Sequence, residues 1–180
     1  MPKFLPVRQD GDPVLRRKAK KASRVDDSLR RLIDDMFYTM YNNDTRGIGL
    51  AAPQVGVSIR VIVVDMQDDE HEPIALVNPE IVKASQELVC AAEGCLSVPG
   101  LRGDVERHEW VTVKARDDRG HETRIRADGW FARCLQHEID HLDGILYTDK
   151  ATDIREADEE AICAENAERE ARGERVPVSI

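Results

Sequence analysis

The segment His137-Glu138-Ile139-Asp140-His141 carries the strongest chemical signal in the chain. On a helix, residues four apart lie on one face about a turn apart, so two imidazoles at this spacing can grip one metal ion. The glutamate beside the first histidine then lies close to the ion without ligating it. From there it can take a proton from water that the ion has acidified and pass it to a leaving group. The chain has only five histidines, and two fall into this pattern, which makes accidental spacing a poor explanation. The same segment has an apolar side, Trp130, Phe131, Cys134, Leu135 and Leu142, as a helix packed on a core requires.

Two histidines do not hold a catalytic ion. A third protein ligand is needed, with a fourth position left for water. Two sources are open. One is a downstream acid, Glu159, Glu160 or Glu165, as in HExxH peptidases with a glutamate ligand, but that segment is acidic throughout and no residue in it stands out. The other is Cys95, set in Glu93-Gly94-Cys95-Leu96-Ser97-Val98-Pro99-Gly100, where a sharp turn can present a thiolate. Cys90, Cys134 and Cys163 lie in ordinary surroundings and read as small hydrophobes. A third feature, Gly47-Ile48-Gly49-Leu50-Ala51-Ala52-Pro53-Gln54, has the glycine spacing of a dinucleotide loop but the wrong context. A helix precedes it and a strand follows, the reverse of what that loop needs. Its small residues instead let backbone come close to something, and Gln54 supplies an uncharged donor beside it.

The elements that must position these residues follow from periodicity. Val25, Leu29, Leu32, Ile33, Met36, Phe37 and Met40 recur at helical spacing and predict a helix that begins near Ser23–Asp27 and ends at Asn42-Asn43-Asp44. Residues 47–56 read as a loop. Ile59–Met66 and Ile74–Val77 are buried strands; Asn78-Pro79 interrupts, and Ile81-Val82 resumes. Leu88–Ala92 reads as a further strand, and Trp110–Arg116 with Glu122–Arg126 as a hairpin about the turn Asp117–Gly120. Asp128 or Gly129 opens the histidine helix, which stops at Asp143-Gly144. Thr152–Arg172, rich in Ala and Glu, reads as a C-terminal helix. Strands in the middle with helices at both ends predict an α+β fold in one domain spanning 1–180, with about 151–180 an acidic helix and tail.

Composition bounds the rest. A net charge of −9 argues against a dedicated DNA binder. No stretch is long and apolar enough to span a bilayer, so no membrane partner is expected. The first residues show no secretory signal, and four scattered cysteines fit a reducing compartment, which together predict a cytoplasmic protein.

The three segments together resemble the peptide deformylases, whose signatures are G-x-G-x-A-A-x-Q, E-G-C-L-S and Q-H-E-x-D-H. Here they read Gly47–Gln54, Glu93–Ser97 and Gln136–His141, with no signature position departing, and the likeness runs from Gly11 to Tyr147. The resemblance implies antiparallel sheets packed around the helix with the two histidines, plus N- and C-terminal helices. It implies that Cys95, His137 and His141 hold one divalent ion, Fe2+ in the cell with Zn2+, Ni2+ or Co2+ able to substitute. It makes Glu138 the general acid/base, and Gln54 and the Leu96 N–H the donors to the oxyanion, each worth roughly 3 kcal/mol by analogy with other oxyanion holes. It assigns Ile48, Gly49, Gly94, Arg102, Trp130, Arg133 and Cys134 to substrate binding. The implied reaction removes the formyl group from the N-terminal methionine of nascent chains and releases formate. Transient ribosome contact is expected through the basic run from Arg16 to Arg24, because RNA would repel the acidic tail. The rival readings are a HExxH metallopeptidase, a catalytically inactive relative that binds N-terminal peptides, and a structural zinc domain.

Overall fold

The chain alternates between segments whose apolar residues repeat every two positions and segments where they repeat every three or four, and the structure follows that division. The computed structural model describes residues 1–43 and 47–157. Helix α1 spans Asp27–Asn42; the Asp26 carboxylate caps it by accepting from the Leu29 N–H at 3.0 Å. Short strand β1 (Gly49–Ala51) precedes a 3-10 turn over Ala52–Val55. Strands β2 (Val61–Val64), β3 (Ile74–Ala84), β4 (Leu88–Cys95), β5 (Val98–His108), β6 (Trp110–Arg116) and β7 (Glu122–Asp128) follow. Helix α2 (Gly129–Leu142) carries the histidines, and β8 (Thr152–Glu156) comes last.

Two antiparallel sheets result, one ordered β1-β2-β3-β6-β7 and one ordered β4-β5-β8. The unbroken apolar run of β2 has a clear cause. Ile62 and Val64 join the core under α2 with Leu135, Ile139 and Leu142, whereas Val61 and Val63 join the core under α1 with Leu29, Ile33, Met36 and Met40. Both faces of this strand are covered, so neither needs polar residues. A third, smaller cluster gathers Leu15, Cys95, Val98, Val105, Leu146 and Tyr147 beside the second sheet. Helix α2 packs against both sheets, which sets its histidines over the end of β4.

The structure departs from the sequence reading in four places. The expected loop at 47–56 contains β1, because Gly49–Ala51 pairs with Ile62–Val64. Asn78 does not end a strand: β3 runs through it with a register shift, and Asn78 takes a positive φ of 55°. Its amide donates to the Ala22 carbonyl and accepts from the Ala22 N–H, each at 2.8 Å, so the bulge is pinned from outside the sheet. Strand β5 was not expected at all, since Pro99, Gly100 and Gly103 hide its alternation. Finally, Thr152–Glu156 is a strand and not helix. Its residues pair with Leu101–Asp104 along the edge of β5, where unpaired backbone groups outweigh a local helical preference. The rest of the expected C-terminal helix, residues 158–172, the tail to 180 and the expected helix end at Asp44 lie outside the described residues.

Candidate metal centre

Residues Gly94–Val98 show why a thiol arrives here. Strand β4 ends at Cys95, Leu96 and Ser97 turn the chain, and β5 begins at Val98, with Cys95 and Val98 paired across the turn. Cys95 therefore points off a strand end toward α2, where His137 and His141 stand one turn apart. Their ligand atoms and the Cys95 sulfur all lie within 4.8 Å of one another, and all three residues are buried. The Cys95 Sγ sits 3.3 Å from His141 Nε2. Two such ligands on one tetrahedral ion stand about 3.6 Å apart, so this pair already approaches an edge of a coordination polyhedron. Among the described residues, three buried side-chain atoms find no hydrogen-bond partner: His137 Nε2, Glu138 Oε2 and His141 Nδ1. The unpartnered buried His137 Nε2 is what a metal ion beside the thiol would satisfy, while His141 turns its Nε2, not the unpartnered Nδ1, to the sulfur. The residues fit such an ion, and with three protein ligands the set is of the open kind.

Electrostatics agree. Burial pushes the Cys95 thiol up to about 12, helped by the charge of Glu138, so its deprotonation calls for a cation. Burial, then the neighbouring His137 and Arg107, hold His141 well below its usual range and so keep the ring neutral, the form able to ligate a metal ion. Burial likewise raises the Glu138 carboxyl well above its usual range, against the pull of Arg107.

Each other sequence-predicted residue has a definite place. The Gln54 carbonyl oxygen accepts from the Ala51 N–H at 2.8 Å, which turns its Nε2 to within 3.4 Å of the Cys95 sulfur and 3.2 Å of the Ser97 hydroxyl. Leu96 is buried, directly after the thiol. Gly49 is a close-approach position: a Cβ there would lie 2.5 Å from Glu138 Oε1 and 2.9 Å from Cys134 Sγ. Ile48 and Cys134 are buried beside it, with the Cys134 thiol 3.8 Å from the Ile48 carbonyl. Gly94 is buried in β4, next to the stem of Arg102. Trp130, second in α2, is exposed, with the Arg133 guanidinium 5.7 Å from its ring centre. The Arg133 guanidinium itself is buried and committed elsewhere, to Glu93 at 2.7 Å and to the carbonyls of Val105 and Val89 at 2.9 and 2.6 Å. Cys90, Cys95 and Cys134 are free thiols; Cys163 and the rival ligands Glu159, Glu160 and Glu165 lie outside the described residues.

Sequence reasoning missed what surrounds the histidines. His137 Nδ1 donates to Glu93 Oε2 at 2.9 Å, which leaves Nε2 facing the cluster. Glu93 is fully buried and also accepts from Arg107 Nε and Nη2 at 2.7 and 2.8 Å. Burial alone would raise its carboxyl, but the bonds from Arg107 and His137 bring it well below the usual carboxylate range. Arg107 Nη1 continues to Asp140 at 2.6 Å, and Lys150 reaches Asp140 at 2.7 Å. The Tyr147 ring is inclined 24° to that of His137 with centroids 6.0 Å apart, and its hydroxyl donates to the Leu101 carbonyl. Glu93 and Asp140 lie inside the two motifs and could have been suspected; Arg107, Lys150 and Tyr147 carry no sequence signal.

Comparison with known proteins meets this geometry. The family model of polypeptide deformylase matches residues 4–157. A peptide deformylase of Symbiobacterium thermophilum is 52% identical over 165 residues, covering 92% of this chain and 75% of that protein. One of Natranaerobius thermophilus is 55% identical over 148 residues, covering 82% and 92%. Among solved structures, the peptide deformylase of Thermotoga maritima superposes with a TM-score of 0.78 at 41% identity, over 83% of this chain and 99% of that one. That of Synechococcus elongatus in complex with actinonin gives 0.78 at 43%, over 98% and 91%. With its thiol, two imidazoles and buried glutamate gathered at one point, this chain belongs to the polypeptide deformylase family.

Proposed function

We propose that this chain hydrolyses the N-formyl group from the N-terminal methionine of newly made polypeptides, releasing formate, with Cys95, His137 and His141 holding the ion. The observation that carries this is the cluster of three buried candidate ligands beside a buried glutamate with an unpartnered oxygen. A divalent ion held there supplies a Lewis acid that acidifies water and draws charge from the formyl oxygen. Glu138 accepts the proton of the attacking water and delivers it to the departing amine; its burial and raised carboxyl support a group able to hold that proton. Gln54 Nε2 and the Leu96 N–H donate to the oxygen on which charge grows. The anchoring of Gln54 to Ala51 supports that role, because a pre-aimed donor costs no reorganisation. Glu93 holds His137 in one tautomer. Ile48, Gly49, Gly94, Arg102, Trp130 and Cys134 form the substrate's surroundings.

Fe2+ is the native ion in this reading, with Zn2+, Ni2+ or Co2+ able to replace it; a thiolate with two imidazoles suits all four. No helix of the described residues is long and apolar enough to cross a membrane. The enzyme works in the cytoplasm, where formylated chains emerge. The run Arg16–Arg24 makes any transient ribosome contact. Lys18 and Arg24 support this by side chains 79% exposed, although each has an acid beside it, Asp143 at 3.9 Å and Asp26 at 3.1 Å; Arg16 is less exposed and pairs with Asp149 and Asp10. Charge reversal at Lys18 and Arg24 lowers ribosome co-sedimentation; unchanged co-sedimentation refutes the contact.

The test of the activity is formate release from formyl-Met-Ala by protein made anaerobically with iron. Release, with no cleavage of internal peptide bonds, is the expected result. Metal-loaded protein that releases no formate but cuts internal bonds would mean a metallopeptidase instead.

A further inference from the structure

Arg133 lies one helical turn before His137, on the same face of α2. Both side chains bond to one carboxylate, that of Glu93 on β4. An ionised carboxylate offers about four lone-pair positions, and Glu93 has a donor for each. Oε1 accepts from Arg107 Nε and Arg133 Nη1; Oε2 accepts from Arg107 Nη2 and His137 Nδ1. Arg107 alone does not secure this arrangement, because its third nitrogen is drawn to Asp140 at 2.6 Å, and one guanidinium is thereby shared between two acids. Arg133 supplies the second positive charge beside a fully buried anion. It also closes on Oε1, the oxygen away from His137, so the carboxylate cannot pivot off the imidazole.

Arg133 does more than neutralise. Its Nη2 donates to the Val89 carbonyl and its Nη1 to the Val105 carbonyl. Val89 belongs to β4, the strand that ends at Cys95, and Val105 to β5, the strand that begins just after the turn. One side chain therefore joins the helix that carries two ligands to both strands that flank the third. Resting on the metal-site reading above, we propose that Arg133 is a positioning residue for the metal centre, fixing the His137 ring through Glu93 and the distance between the Cys95 strand and α2, and not a lining residue of the substrate pocket. A Lys ammonium keeps the charge but carries all its donors on one nitrogen, and so loses the two-nitrogen fork that serves Glu93 and the two carbonyls.

The test uses Co2+ as probe in the full chain, for the parent, Arg133→Met, Arg133→Lys and, as a destabilised control away from the site, Ile33→Ala. Chelator competition gives Co2+ affinity, and absorption gives the thiolate-to-cobalt and ligand-field bands. Expected is a roughly 10- to 100-fold loss of affinity with displaced ligand-field bands in Arg133→Met. Arg133→Lys falls between it and the parent, and Ile33→Ala keeps the parent's affinity and spectrum despite a lower Tm. If Arg133→Met does not fold, the Arg133→Lys result alone decides, loss of affinity supporting the role and parental affinity refuting it. Parental Co2+ affinity and spectrum in the Arg133 variants, with a raised KM for formyl-Met-Ala, would overturn the proposal and make Arg133 a substrate contact. Equal loss in Ile33→Ala would also overturn it, as general destabilisation. A parent that binds Co2+ without a thiolate band would remove the metal-site reading itself, a distinct result.

Discussion

Gly49→Ala is a one-methyl perturbation aimed at Glu138, the group proposed to transfer the proton. The added Cβ would stand 2.5 Å from Glu138 Oε1, 2.8 Å from its carboxyl carbon and 2.9 Å from Cys134 Sγ. Ordinary contact begins near 3.4 Å, so the carboxylate must retreat by about 1 Å, a displacement that can cost about 100-fold in rate, or about 2.7 kcal/mol of barrier. The stability cost is expected to be smaller, because what moves is the end of a side chain and a thiol, neither of which is backbone. The proposed ligands Cys95, His137 and His141 are not among the nearest atoms it would meet. The assay measures kcat and KM for formate release alongside metal content and thermal unfolding. The account expects kcat to fall about 100-fold with a full complement of metal. A variant that is fully metallated and keeps the parental kcat would refute the claim that Glu138, as placed against β1, carries the proton.

Further predictions concern other parts of the molecule. Gln54→Ala should lower kcat by about 100- to 1,000-fold, as loss of one oxyanion donor does elsewhere, with metal content kept; an unchanged kcat would mean that the amide serves only to hold Ala51. Asn78→Ala removes both bonds to the Ala22 backbone and leaves an alanine at positive φ. It should cost about 2 kcal/mol of stability at roughly 1 kcal/mol per bond, read by denaturant unfolding, while kcat stays parental. Stripping the metal should lower the unfolding temperature and restoring it should raise it, since an ion bound only by the folded state stabilises it by mass action. An unfolding temperature indifferent to the metal would contradict a shared buried site.

How much of this was legible in the chain depended on how local the cause was. His137, Glu138 and His141 share one helical face by spacing alone, and Cys95 stood out because Gly94 and Gly100 frame it. Helix α1 and the β6–β7 hairpin likewise follow from periodicity and a turn. The ion-pair cluster was hidden, because Glu93, Arg107, Arg133, Asp140 and Lys150 come from two strands, a helix and a loop, and only the tertiary fold makes them neighbours. That is why the bonds of Arg133 to Glu93 and to two strand carbonyls were not foreseen: nothing near it in sequence tells where a long side chain on a buried helix face ends. Strand β8 was hidden for a related reason. Its alanine- and glutamate-rich surroundings favour helix, but the free edge of β5 decides. The bulge at Asn78 looked like a strand end because the bonds that hold it come from Ala22, far away in sequence.

The central claim is a division of labour between three residues that hold an ion and one that moves a proton. It is tested most directly by measuring metal content and formate release together in the parent, Cys95→Ala and Glu138→Ala. The account predicts that the parent has both, Cys95→Ala loses both, and Glu138→Ala keeps the metal while formate release falls by about 100-fold or more. Undiminished formate release by Glu138→Ala, or full metal occupancy in Cys95→Ala, would contradict it.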